Sequence, residues 1–201
     1  MKTLVIDRST DVQSLALIDG DSVVASSVLA GADCRSGDWT LRVEEFLAGS
    51  EIGRIVVGTG PGSFAGIRAA LAFAQGYAIG SGCEVLGLPS PCAFAKEGEP
   101  LAVVGDARQG KYWIALFDGC KLVLPVFQVD AETLPLRVPL GVNIVTPDAK
   151  RIDAFLKETF DSRYLGGQVP SAEGLARFAL ANPQALVAEP LPIYLNPAVR
   201  T

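Results

Sequence analysis

The 201-residue chain contains no histidine. That gap removes Ser-His-Asp and Cys-His nucleophile systems, histidine-containing zinc sites and imidazole general-base chemistry. Charge is also scarce: 19% of residues are Asp, Glu, Lys or Arg, and the net charge is −5. A chain that grips nucleic acid alone neutralises several phosphates with Lys and Arg, so this one reads as a poor solo binder. Long apolar runs of roughly 18 residues, the length of a membrane span, are missing. The start, "MKTLVIDRST", has neither an h-region nor a small-residue cleavage site. The expectation is a cytoplasmic protein with no membrane partner. The four cysteines (Cys34, Cys83, Cys92 and Cys120) form no CxxC pair and read as small buried hydrophobes.

What the chain does have is apolar content, 49% of its residues, enough for a well-cored globular fold. "KTLVID" reads as a buried strand ending in an acid, and "SLALID", "GD" and "SVVASSVL" as a hairpin. "DWTLRVEEFLAG" has helical spacing, with Asp38 as the expected N-cap and Gly49 as the stop. After the polar break "EGEP" near residue 97 the opening returns in weaker form. "LAVVGDARQG" ends a strand in an acid, and "KYWIALFDG" and "KLVLPVFQVD" alternate. Two further helices follow, "DAKRIDAFLKETF" capped by Asp148 and "SAEGLARFALAN" capped by Ser171. The repetition predicts an α/β protein of two duplicated lobes, residues 1–97 and 98–201, the second abbreviated at "QVDAETLPLRVPLGVNIV", which looks compressed.

The stretch with most to say is "RIVVGTGPGSFAGIRAALAFAQGYAIGSG", residues 54–82. A strand, a glycine turn and a helix can cradle a phosphate. Here no lysine follows in the P-loop position, and Gly66 comes one residue late for GxGxxG after Gly60 and Gly62. The helix beyond has only Arg68, Gln75 and the Tyr77 hydroxyl as polar groups up to Ile79. A helix covering one side of a sheet should turn a charged face to water; this one predicts either burial on both faces or an association surface. Ser63 reads as its N-cap. Asp7 and Asp106, at the ends of the two opening strands, could share a hydrated cation or could each cap its own turn.

"LVIDRST", "GTGPGSFAGIR", "GDARQGKYW" and "PIYLN" together resemble, in order, the signature segments of the TsaB (YeaZ) family. These are non-catalytic partners in bacterial synthesis of tRNA threonylcarbamoyladenosine. The likeness implies an actin-like (ASKHA, RNase H-like) fold of two lobes with mixed sheets flanked by helices. It implies a TsaD-like catalytic paralogue and a TsaE-like ATPase as partners, homodimers when alone, and tRNA reached only through the complex. It places the interface on the helix after the turn, for which Phe64, Ile67, Arg68, Leu71, Ala74, Gln75 and Ala78 are the candidates. Gly60, Pro61, Gly62, Ser63 and Gly66 form the turn motif. Asp7, Ser9, Thr10 and Asp106 would be a vestigial nucleotide or cation cleft, with no catalytic residue, no metal site and at most weak ATP, ADP or magnesium binding. The alternative is an actin-like small-molecule kinase or nucleotide hydrolase using Asp7 and Asp106 with magnesium. The chain departs from the family pattern at Arg8 and Ala65, where Thr is common. It departs also at Gln109 and Lys111, where Arg and Glu are common, and in "GADCRSGDWT", which lacks a His-Ser pair.

Overall fold

The structure is a computed structural model that describes residues 1–29 and 39–195. The expected cap Asp38, Cys34 and most of "GADCRSGDWT" lie outside the described residues. Two compact units emerge among the described residues, one of residues 1–93 with 170–193 and one of residues 94–169 with 194–195.

In the first unit β1 (Lys2–Asp7), β2 (Gln13–Asp19) and β3 (Ser22–Leu29) form an antiparallel meander. After α1 (Trp39–Leu47), β4 (Ile52–Gly58) returns parallel to β1. Then α2 (Phe64–Ser81) crosses to β5 (Glu84–Leu88), parallel to β4. The second unit repeats the plan. Strands β6 (Pro100–Arg108), β7 (Lys111–Asp118) and β8 (Lys121–Asp130) form the meander. After the single turn α3 (Leu134–Arg137), β9 (Asn143–Thr146) joins β6 in parallel. Helix α4 (Ala149–Phe160) then crosses to β10 (Tyr164–Gly167). The orders are β3-β2-β1-β4-β5 and β8-β7-β6-β9-β10, strand for strand the same. The duplicated actin-like architecture is therefore in the pairing itself. The second copy is the shorter one: α3 has four residues where α1 has nine, and α4 has 12 where α2 has 18.

The central strands of both sheets are buried on both faces, whereas the outer strands β3 and β8 alternate. In the first unit Leu4, Ile6, Leu15, Leu17, Ile55 and Val57 pack with α1 and α2. Helix α5 (Ala172–Ala181) packs on β1, β2 and β3, and its Ala172 amide donates to Ser14 Oγ at 2.7 Å. Although α5 follows the second meander in the chain, it belongs with the first unit, as does β11 (Val187–Ala188), which extends that sheet beside β5. In the second unit Ala102, Val104, Ile114 and Ile144 meet Leu134, Ile152, Leu156 and Phe160. Ser171 caps α5 through the Gly174 amide, as its position predicts.

Candidate functional site

Local chemistry explains why the chain turns at Gly60–Ser63. Ser63 is extended and its Oγ accepts the Gly66 amide at 3.2 Å, so it starts α2 as an N-cap. The Ser63 amide donates to Ser9 O at 2.6 Å. At Gly62 a Cβ would collide with Ser9 O, and at Gly66 with Arg8 O. These two glycines let the loop after β1 lie backbone-to-backbone on the start of α2. The Gly60 amide donates to Ser90 Oγ, and Gly60 O accepts from the Ser90 amide. The amides of Gly60, Ser63 and Gly66, which a phosphate cradle would aim at an anion, are thus committed within the fold.

The acidic loop is closed in the same way. Asp7 has no exposure. Its Oδ1 accepts from the Ser9 amide and the Ser9 hydroxyl, at 2.9 and 2.7 Å, and its Oδ2 accepts from Ser90 Oγ at 2.6 Å. Burial pushes its carboxyl above the ordinary carboxylate range, against the pull of those hydrogen bonds from Ser9 and Ser90. Thr10 Oγ1 donates to Val12 O and accepts from its amide, a turn within the loop. Asp7, Ser9 and Thr10 therefore spend their oxygens on the loop, the turn and the segment at Ser90.

In the second unit Asp106 makes the equivalent turn, accepting from the Arg108 amide at 2.8 Å. Here the other oxygen meets a cation: Arg151 Nε donates to Asp106 Oδ2 at 2.7 Å. Arg151 also pairs with Asp148, which accepts from the Asp106 amide at 2.9 Å. Asp148 precedes α4, but its carboxylate makes no cap hydrogen bond; Arg151 and the Asp106 amide draw it away, which corrects the expected capping role. Burial raises the Asp148 pKa, opposed by the Asp106 amide and by Arg151. Ser90 and Arg151 are the residues that the sequence reading missed; the spacing of three between Asp148 and Arg151 was the one local signal. Among the described residues no three His, Cys, Asp or Glu side chains gather as a metal site, and no helix is long and apolar enough to cross a membrane.

The candidate interface residues divide between two faces of α2. Ile67 (2% exposed), Leu71 (6%) and Ala74 (0%) lie in the first unit's own core. They cannot be contact side chains of the folded chain, which corrects their place in the predicted set. Phe64, Arg68 and Gln75 are exposed and Ala78 is half-buried. The outward face also carries Ala65, Ala69, Ala72, Gly76, Ile79 and Gly80. Arg68, whose guanidinium carbon lies 4.8 Å from the Phe64 ring centroid, is its one charge. Among the described residues, a Cβ at Gly76 or Gly80 would meet nothing within 4 Å.

The family model "TsaD: tRNA N6-adenosine threonylcarbamoyltransferase" matches residues 44–144. The chain belongs to this family. Its likenesses include TsaB and YeaZ proteins. It is 30% identical over 125 residues to the tRNA threonylcarbamoyladenosine biosynthesis protein TsaB of Escherichia coli, covering 56% of this chain and 54% of that protein. It is 34% identical over 88 residues to an uncharacterized protein of Mycobacterium tuberculosis, covering 43% of this chain and 42% of the relative. The chain thus matches about half the length of these curated relatives or less. YeaZ from Pseudomonas aeruginosa superposes with a TM-score of 0.74 at 23% identity, over 96% of this chain and all of that one. The TsaB (YeaZ) fold thus extends over nearly the whole chain.

Proposed function

We propose that this TsaB-family chain is a non-catalytic subunit in tRNA threonylcarbamoyladenosine synthesis, docking through the outward face of α2 on a TsaD-like catalytic paralogue. In this reading it contributes no reacting group, holds no nucleotide or metal of its own, and meets tRNA and a TsaE-like ATPase only within the complex. Without the paralogue the same face pairs two copies.

One observation carries the reading. An 18-residue helix turns toward solvent a face with a single charge, and Gly76 and Gly80 on that face have open space around them. Each glycine costs a helix about 1 kcal/mol relative to alanine, and nothing among the described residues requires either one. Close approach of another backbone gives them a reason. Phe64 (56% exposed) and Ile79 (89%) supply apolar area at the two ends of the same face. The committed state of Asp7 supports the non-catalytic part: a magnesium-dependent kinase would first have to release it from Ser9 and Ser90.

The test is co-purification with a TsaD-like partner. Ala72→Glu, on the outward face, should abolish the complex and leave the chain's own melting temperature within a few degrees of wild type. Normal assembly of the Ala72→Glu chain would overturn the reading.

A further inference from the structure

Arg8 stands in the loop after β1, and neither the turn nor the outward face of α2 accounts for its side chain. It is half-buried rather than pointing to water, and its guanidinium carbon lies 4.4 Å from the ring centroid of Trp39, within cation–π range. Trp39 is the first residue of α1 and is 6% exposed. Its ring meets Phe73 of α2 edge-on, with centroids 4.8 Å apart at 88°. Phe73 in turn meets Tyr77, one turn further along α2, at 6.0 Å. The backbone of the same residue touches the other end of that helix, because Arg8 O occupies the space that a Cβ on Gly66 would need.

Arg8 therefore holds both helices on this side of the sheet. Its carbonyl fixes the first turn of α2. Its guanidinium, through Trp39 and Phe73, fixes α1 against the flank of α2. Helix α1 depends on that hold. Nine residues are too few to be stable alone; Trp39, Val43 and Leu47 are its buried residues, with Phe46 partly buried against the same core. A planar guanidinium suits the task because it stacks on an indole face and is more weakly hydrated than an ammonium, which suits the half-buried place of Arg8.

We propose that Arg8 is a positioning residue for the docking helix: a cation–π clamp that presses α1 on the flank of α2 and sets the orientation of the outward face. The proposal rests on the reading that this face docks. It predicts that partner affinity depends on a residue outside the contact surface.

The experiment compares wild type with Arg8→Met, which keeps the apolar stem and loses the cation, and with Arg8→Lys, which keeps a cation. Three readouts are taken: the indole N–H resonance of Trp39 with Trp113 as internal control, amide exchange along residues 39–47 and 73–78, and affinity for the TsaD-like partner. Arg8→Met should shift the Trp39 resonance but not that of Trp113, speed exchange in both segments, and weaken partner binding about tenfold. Arg8→Lys should recover a large part of all three. An unmoved Trp39 resonance with unchanged exchange overturns the clamp. Wild-type affinity in an Arg8→Met chain whose exchange has quickened overturns the positioning role. A wild-type chain that binds no partner sinks the docking reading instead, and the resonance and exchange then decide the clamp by themselves.

Discussion

Ser90 donates its hydroxyl proton to Asp7 Oδ2 at 2.6 Å, joining residues 83 apart in sequence. The same hydroxyl oxygen accepts the Gly60 amide at 3.0 Å, so one side chain ties the end of β1 to the turn that starts α2. Ser90→Ala leaves a buried carboxylate oxygen and a buried amide short of a partner. At about 1–3 kcal/mol for each group, the expected loss is about 2–6 kcal/mol in chemical denaturation, with the denaturant slope unchanged.

Asp7 also predicts a pH dependence. Its folded pKa is raised above the 3.8 of an unfolded chain, so the folded state holds the proton more tightly. The group's contribution to stability is then fully present below 3.8 and declines as the pH rises toward the folded pKa. Asp7→Asn lacks this dependence and is the reference. The stability of wild type minus that of Asp7→Asn, measured by denaturation from pH 3.5 upward, should fall as the pH rises. A difference that grows with pH would contradict the assignment of burial as the dominant cause.

Asp106, in the same place within the second unit, predicts the opposite response to salt. It is held by Arg151, whose side chain is 41% exposed, and mobile ions screen exposed pairs but barely touch buried ones. Arg151→Met should cost about 0.5–1 kcal/mol in dilute buffer and much less in about 1 M salt. The cost of Ser90→Ala should stay constant across that range. Equal salt dependence of the two variants would mean that the loops differ less than their geometry indicates.

How much of this was legible in the sequence depended on the range of the interaction. The two meanders, their acidic ends and the Ser63 and Ser171 caps were legible, because alternation and capping are decided within a few residues. The faces of α2 were not separated. Ile67, Leu71 and Ala74 face inward and Ala72 and Gly76 outward, but an uncharged helix offers no polar stripe to orient it. Residue size was the usable signal, since the larger aliphatic pair Ile67 and Leu71, four apart, marks the inward side. Nothing near Asp7 announces Ser90, and nothing in "SAEGLARFALAN" says that α5 packs beside β2, because those contacts are set only when distant segments meet. The hold of Asp106 on Arg151 and Asp148 was unreadable for the same reason, although the pairing of Arg151 with Asp148 is local, three residues apart.

Gly76→Ala separates stability from docking most sharply. In the chain alone the new methyl meets nothing among the described residues and removes the penalty of a mid-helix glycine, so the monomer should gain about 0.5–1 kcal/mol. If α2 packs against another backbone at this point, the same methyl must be accommodated there, and overpacking costs about 1–3 kcal/mol. Affinity for a TsaD-like partner should then fall about tenfold or more while the melting temperature rises. Calorimetric titration of the complex and thermal denaturation of the chain alone read the two effects from one preparation. A substitution that stabilises the chain and leaves binding untouched would mean that the glycine faces water in the complex too, and the contact would have to move toward Phe64 and Arg68.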